Sequence, residues 1–212
     1  MAFTWLRFPS CLLTAVLVFP LSSAAFDTPL SDTAVREAYF MGQRHDESLA
    51  RFFDKYTKHL PPPKTGPYVS TIAFFTPFAL VAELSSRQAS GYSAQQAQID
   101  HRNRGESVRI VVQLEFTGSS SSGAQTGYTF RPYAFWKDYD VQVLDKELRL
   151  KPFNSSAEPN YICSEDGGCI LTGATLSFDF LPDSFTADTA NVRVIPPEGD
   201  PITVDFDLSA LR

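Results

Sequence analysis

The chain has 212 residues, 43% hydrophobic and 20% charged, with a formal net charge of −6. That composition is globular, neither disordered nor fibrous. The acidic balance repels phosphate backbones and anionic membrane surfaces, so nucleic acid is not expected as a partner.

Residues 1–24 read as an export leader. Arg7 supplies a positive n-region, Cys11 to Phe19 an apolar h-region, and Ser22 and Ala24 the small residues before cleavage at Ala25 or at Phe26. The apolar run is too short to cross roughly 30 Å of hydrocarbon, which takes about 20 residues. Cys11 opens that run and does not end it, which fits a lipoprotein site poorly. The expectation is a secreted or periplasmic protein with no transmembrane segment in the mature chain.

Residues 25–67 read as a helical segment and a proline-rich connector. Ser31 or Asp32 is placed to cap a helix, because its side-chain oxygen can take the free amide hydrogens of a first turn. Val35, Ala38, Tyr39, Leu49, Phe52, Phe53 and Tyr56 follow at helical spacing. Gly42 to His45 suggests a break, and Asp46 a second cap. Glu47 with Arg51, and Asp54 with Lys58, are supporting pairs four apart. Pro61-Pro62-Pro63 is expected to end the helix, since proline lacks the amide hydrogen.

Residues 68–212 carry the strand pattern. From Val108 to Phe116, apolar Val108, Ile110, Val112, Leu114 and Phe116 alternate with Arg109, Gln113 and Glu115. From Ile72 to Leu84, Ile72, Phe74, Phe78, Leu80, Ala82 and Leu84 fall on even positions, with Pro77 marking an edge, a bulge or a split into two strands. Period two puts successive side chains on opposite faces, so both runs predict strands with one buried face. Ser93 caps a short helix between them. Gly118 to Gly127 is a Ser/Gly loop, and the aromatic segment Tyr128 to Trp136 is broken by Pro132. Tyr139 to Val143, Leu148 to Leu150, Ile170 to Leu181, Val192 to Val194 and Ile202 to Phe206 complete the strands, with Asn154 to Asn160 read as a loop. The fold expected is mainly β: an antiparallel β-sandwich of about eight strands with an N-terminal helical segment.

Export leaves two cysteines, Cys163 and Cys169, separated by the turn-rich Ser-Glu-Asp-Gly-Gly. In an oxidising compartment they predict a disulfide stapling a hairpin near its tip. A redox pair more often has two intervening residues, and a metal site would need two further ligands.

Chemical motifs are sparse. The three histidines, His45, His59 and His101, show no metal-ligand spacing, and no serine sits in a GxSxG elbow. No catalytic residue, metal or cofactor is assigned. Tyr128, Phe130, Tyr133, Phe135 and Trp136 read either as sandwich core or as a platform for sugars or a partner's side chains, since aromatic rings give large rigid contact surfaces. Asp138 and Asp140, two apart, would share one face of a strand, and Glu165, Asp166, Asp183, Asp188 and Asp200 lie in loops, where calcium takes its oxygen ligands. Asn154-Ser155-Ser156 matches the N-glycosylation pattern, which has meaning only in a eukaryotic secretory pathway. The reading that results is an exported, non-catalytic module, structural or binding a protein or carbohydrate partner. The alternatives are an extracytoplasmic hydrolase built around His45, Asp100, His101 and Asp138, and a calcium-assisted carbohydrate-binding module.

Overall fold

Ser31 opens the first element: its hydroxyl accepts the Ala34 amide hydrogen at 3.1 Å. The computed structural model describes residues 26–88, 91–117, 134–165 and 167–212. In chain order these form α1 (Asp32–Gly42), α2 (Glu47–Asp54), β1 (Thr57–His59), β2 (Pro67–Phe75), α3 (Pro77–Arg87), α4 (Ala94–Arg104) and β3 (Val108–Phe116). They continue with β4 (Asp140–Asp145), β5 (Leu148–Arg149), β6 (Asn154–Cys163), β7 (Cys169–Phe180), β8 (Thr189–Ile195) and β9 (Ile202–Asp207). Two antiparallel sheets result, one ordered β1-β2-β3-β7-β6 and the other β5-β4-β8-β9. The chain is mainly β, as its alternating patterns predict.

The strand Val108 to Phe116 is the middle strand of the larger sheet. Val108, Ile110, Val112 and Leu114 are fully buried. They meet Ile72 and Phe74 of β2, Leu176 and Phe180 of β7, and Val143, Val192, Val194 and Phe206 of the other sheet in one core. Each such side chain removed from water stabilises the fold by about 1.5–3 kcal/mol. Around Ser70 the β2–β3 register shifts, so Val69 joins the buried set out of phase with Ile72.

The other face of β3 is a cross-strand polar ladder. Glu115 accepts from the Tyr68 hydroxyl at 3.1 Å, and Gln113 accepts from Thr175 at 3.1 Å and Asn160 at 3.3 Å. Arg109 forms a two-point bond with Asp179, at 2.7 and 3.3 Å. The N-terminal helix packs elsewhere, against α3 and α4.

Three segments depart from expectation. The run from Ile72 to Leu84 is half strand and half helix. Thr76 caps α3, accepting from Ala79 N, and Pro77 takes the first turn, where its missing amide hydrogen costs nothing and its fixed φ suits the helix. Pro77, Phe78, Ala79, Leu80, Val81 and Ala82 are all buried. A helix buried on nearly every side has no polar stripe, so its even positions mimic a strand.

The second helix stops at Asp54, well before the prolines. Thr57 turns its hydroxyl back to the Phe53 carbonyl at 3.0 Å, and Thr57 to His59 pair with Thr71 to Ala73. Asp54 therefore faces His59, at 3.5 Å, and Lys58 lies over the Phe206 ring. The expected Asp54–Lys58 pair is displaced by this edge strand, which carries His59 as well.

Residues Asn154 to Asn160 are strand β6, paired throughout with β7. Their polar composition hid the pairing, because β6 lies at an edge of the larger sheet among the described residues and most of it is exposed.

Candidate functional site

The most distinctive surface feature is the β6–β7 hairpin. Beyond the pair of Glu115 with Gly173, β7 has no partner in β3, so residues 169–172 pair only with β6 among the described residues. Cys163 and Cys169 face each other across the two strands and form a disulfide. Ser164 and Gly167 close the turn, with Gly167 at φ 84°. Ile162 and Ile170 are directly opposite one another, 66% and 62% exposed. Opposed residues share a face, so the stapled end presents two adjoining aliphatic side chains to solvent.

The aromatic segment is placed differently. Phe135 and Trp136 lie in a short 3-10 turn, Phe135–Asp138, and both are buried. Phe135 packs on Phe116 at 4.8 Å and on Tyr139 at 6.4 Å between ring centres. These two rings contribute to the core and do not form an open platform. Tyr128, Phe130 and Tyr133 lie outside the described residues.

The polar candidates are dispersed. His45 sits in the exposed link between α1 and α2 with a φ of 43°. Asp100 accepts from the Tyr92 hydroxyl at 3.0 Å and from Gln96 at 2.7 Å. Burial, then the hydrogen bond to Asp100, pushes the Tyr92 phenol up to about 12. Asp138 is exposed at the end of its 3-10 turn. Among the described residues no hydrogen bond or ion pair joins any two of His45, Asp100, His101 and Asp138.

One histidine does meet a carboxylate in a concavity. His101 Nε2 lies 3.3 Å from Glu106 Oε1, and both side chains are largely buried. They line a cleft of about 300 Å³ between α3, α4 and the start of β3, floored by Leu80 and Leu84 and flanked by Arg87 and Arg104. Glu106 is already committed. It accepts the Leu30 amide hydrogen and the Thr28 hydroxyl, fastening the segment before α1 to the end of α4. A carboxylate so occupied suits a structural tie better than proton transfer.

Two further carboxylates escaped sequence reasoning. Asp145 is buried and accepts from Thr186 N, Thr186 Oγ1 and Ala187 N at 2.7 to 3.2 Å, holding the loop before β8. Asp179 is buried between Arg109 and Asn154, whose amide donates to it at 2.9 Å. Alternation with Val143 hints that Asp145 faces inward, whereas Asp179 falls on the polar face, opposite Arg109, and its burial has no signal in the sequence. Among the described residues no three His, Cys, Asp or Glu side chains gather as a metal site. Asp140 is engaged with Arg149 at 3.0 Å and Gln142 at 2.7 Å, and Asp166 lies outside the described residues. Among the described residues no helix is long and apolar enough to cross a membrane.

No protein-family model matches the chain, and no curated protein is similar to it.

Proposed function

We propose that this is an exported, non-catalytic sandwich module that binds a protein partner through the tip of the β6–β7 hairpin. The observation that carries this is the exposed pair Ile162 and Ile170 on a disulfide-closed hairpin. Solvating two adjoining aliphatic side chains is unfavourable, and a cross-link near the tip reduces the ordering cost of binding. Aliphatic contacts of this kind suit a protein surface better than a sugar, whose usual platform is an aromatic ring. Export is supported by the leader-like residues 1–24 and by the cysteine pair, since disulfides persist in oxidising compartments.

The test is site-specific photo-cross-linking of the secreted protein in its native extracellular fluid. A cross-linker at Ile170 should trap one defined partner, while one at Glu147 in the β4–β5 turn should not. I162E should abolish the Ile170 adduct without lowering the melting temperature. Equal adducts at both positions, or an adduct indifferent to I162E, would remove the tip as the binding site.

A further inference from the structure

We infer that Asn154 is an N-glycosylation acceptor, taking one N-linked oligosaccharide when the chain passes through a eukaryotic secretory pathway. Of the four asparagines in the chain, only Asn154 is followed by any residue but proline and then a hydroxyl residue. The structure places that tripeptide favourably. Asn154, Ser155 and Ser156 are all exposed, at the start of β6.

The amide chemistry is compatible with both the sugar and the fold. Asn154 Nδ2 uses one hydrogen to donate to Asp179 Oδ2 at 2.9 Å. An amide nitrogen has a second hydrogen, and that is the one lost on glycosylation. The nitrogen attacks C1 of the first sugar of a polyprenyl-diphosphate-linked oligosaccharide. The N–C1 bond forms, the C1–O bond to the diphosphate breaks, the polyprenyl diphosphate leaves, and the amide proton passes to a base of the transferase. The remaining N–H keeps the bond to Asp179, so the Arg109–Asp179–Asn154 chain survives modification. Eight residues of strand separate Asn154 from Ile162, roughly 25 Å at about 3.3 Å per residue. The oligosaccharide and the proposed contact tip are therefore compatible.

This inference rests on the export reading, and the experiment separates the two. The full chain is expressed in eukaryotic secretory cells twice, once with its own first 24 residues and once with a proven leader in their place. Secreted wild type and S156T should show one band shift that peptide-N-glycosidase removes, converting Asn154 to Asp by mass. N154Q and S156A should lack it. S156A guards against misfolding from loss of the Asp179 bond. Wild type secreted, processed and unmodified overturns the glycan and leaves export intact. Modification seen only with the proven leader, the native-leader chain staying in the cytosol, supports the acceptor and overturns export.

Discussion

Gly42 and Asp46 show how single residues set the helical layer. A Cβ on Gly42 would collide with the Ala82 carbonyl oxygen and sit 2.9 Å from Ser85 Cβ. Gly42 reads in the sequence as a helix breaker. Its actual use is a close approach of α1 to α3, which no single-residue propensity reports. Gly42→Ala gains helix propensity of up to about 1 kcal/mol, but overpacking costs about 1–3 kcal/mol. The net expectation is destabilisation of about 1–2 kcal/mol, read as a lower urea midpoint with an unchanged slope. Asp46 caps α2, accepting the Ser48 amide hydrogen at 2.9 Å and the Ser48 hydroxyl. The hydroxyl bond is the leading cause that holds its carboxyl below the ordinary 3.8. A lowered folded value means that the cap is complete above the unfolded value and fades as pH falls through the folded one. Carbon-detected NMR titration should find the Asp46 midpoint higher in S48A than in the parent protein. An unchanged midpoint would show that the hydroxyl is not the cause.

At the scale of elements, legibility followed solvent contrast. Ser31, Asp46 and Ser93 each cap the helix predicted from them, because caps are local chemistry. The strand β3 was legible because one face is fully buried and the other polar. The helix α3 was not, since its burial erases the stripe that distinguishes periods of 3.6 and 2. Thr76-Pro77 held the missing signal, a capping hydroxyl before a first-turn proline. The stretch Asn154 to Asn160 of the edge strand β6 was hidden for the opposite reason, being polar and mostly exposed. The strand's disulfide was the most legible part of the candidate site, while the aliphatic pair beside it emerges only from the register of Ile162 with Ile170. The closed loop is short, so loop-closure entropy assigns the cross-link only about 2 kcal/mol. In a C163S/C169S double variant the global melting transition should fall modestly. Hydrogen exchange should accelerate from Tyr161 to Leu171 and stay unchanged in β3. Exchange rising equally in β3 would show that the staple supports the whole sandwich and not its tip alone.

Across the whole molecule, the two sheets depend on residues from the far ends of the described chain. Phe26 is buried, packing on Phe74 at 6.4 Å and Phe185 at 6.3 Å between ring centres. Arg212 reaches Asp27 at 3.3 Å and lies 4.5 Å over the Phe78 ring. The Tyr56 hydroxyl donates to the Arg212 carbonyl at 3.1 Å. Sequence patterns cannot forecast such closures, because Phe26–Phe185, Asp27–Arg212 and Tyr56–Arg212 each join residues more than 150 apart and leave no local period. On the proposed export reading, they constrain where a leader would be removed. Cleavage before Ala25 or Phe26 leaves the Phe26 ring available to the core, whereas cleavage after it creates a cavity beside Phe74. Phe→Ala changes in cores cost about 3–5 kcal/mol. F26A should cost about 3 kcal/mol, toward the lower end because the ring lies at the margin of the sandwich. N-terminal sequencing of the secreted protein should accordingly find Ala25 or Phe26 first. A stable secreted form beginning at Asp27 or later, melting with the full-length mature chain, would show that the ring is dispensable and that the leader boundary is set by the cleavage enzyme alone.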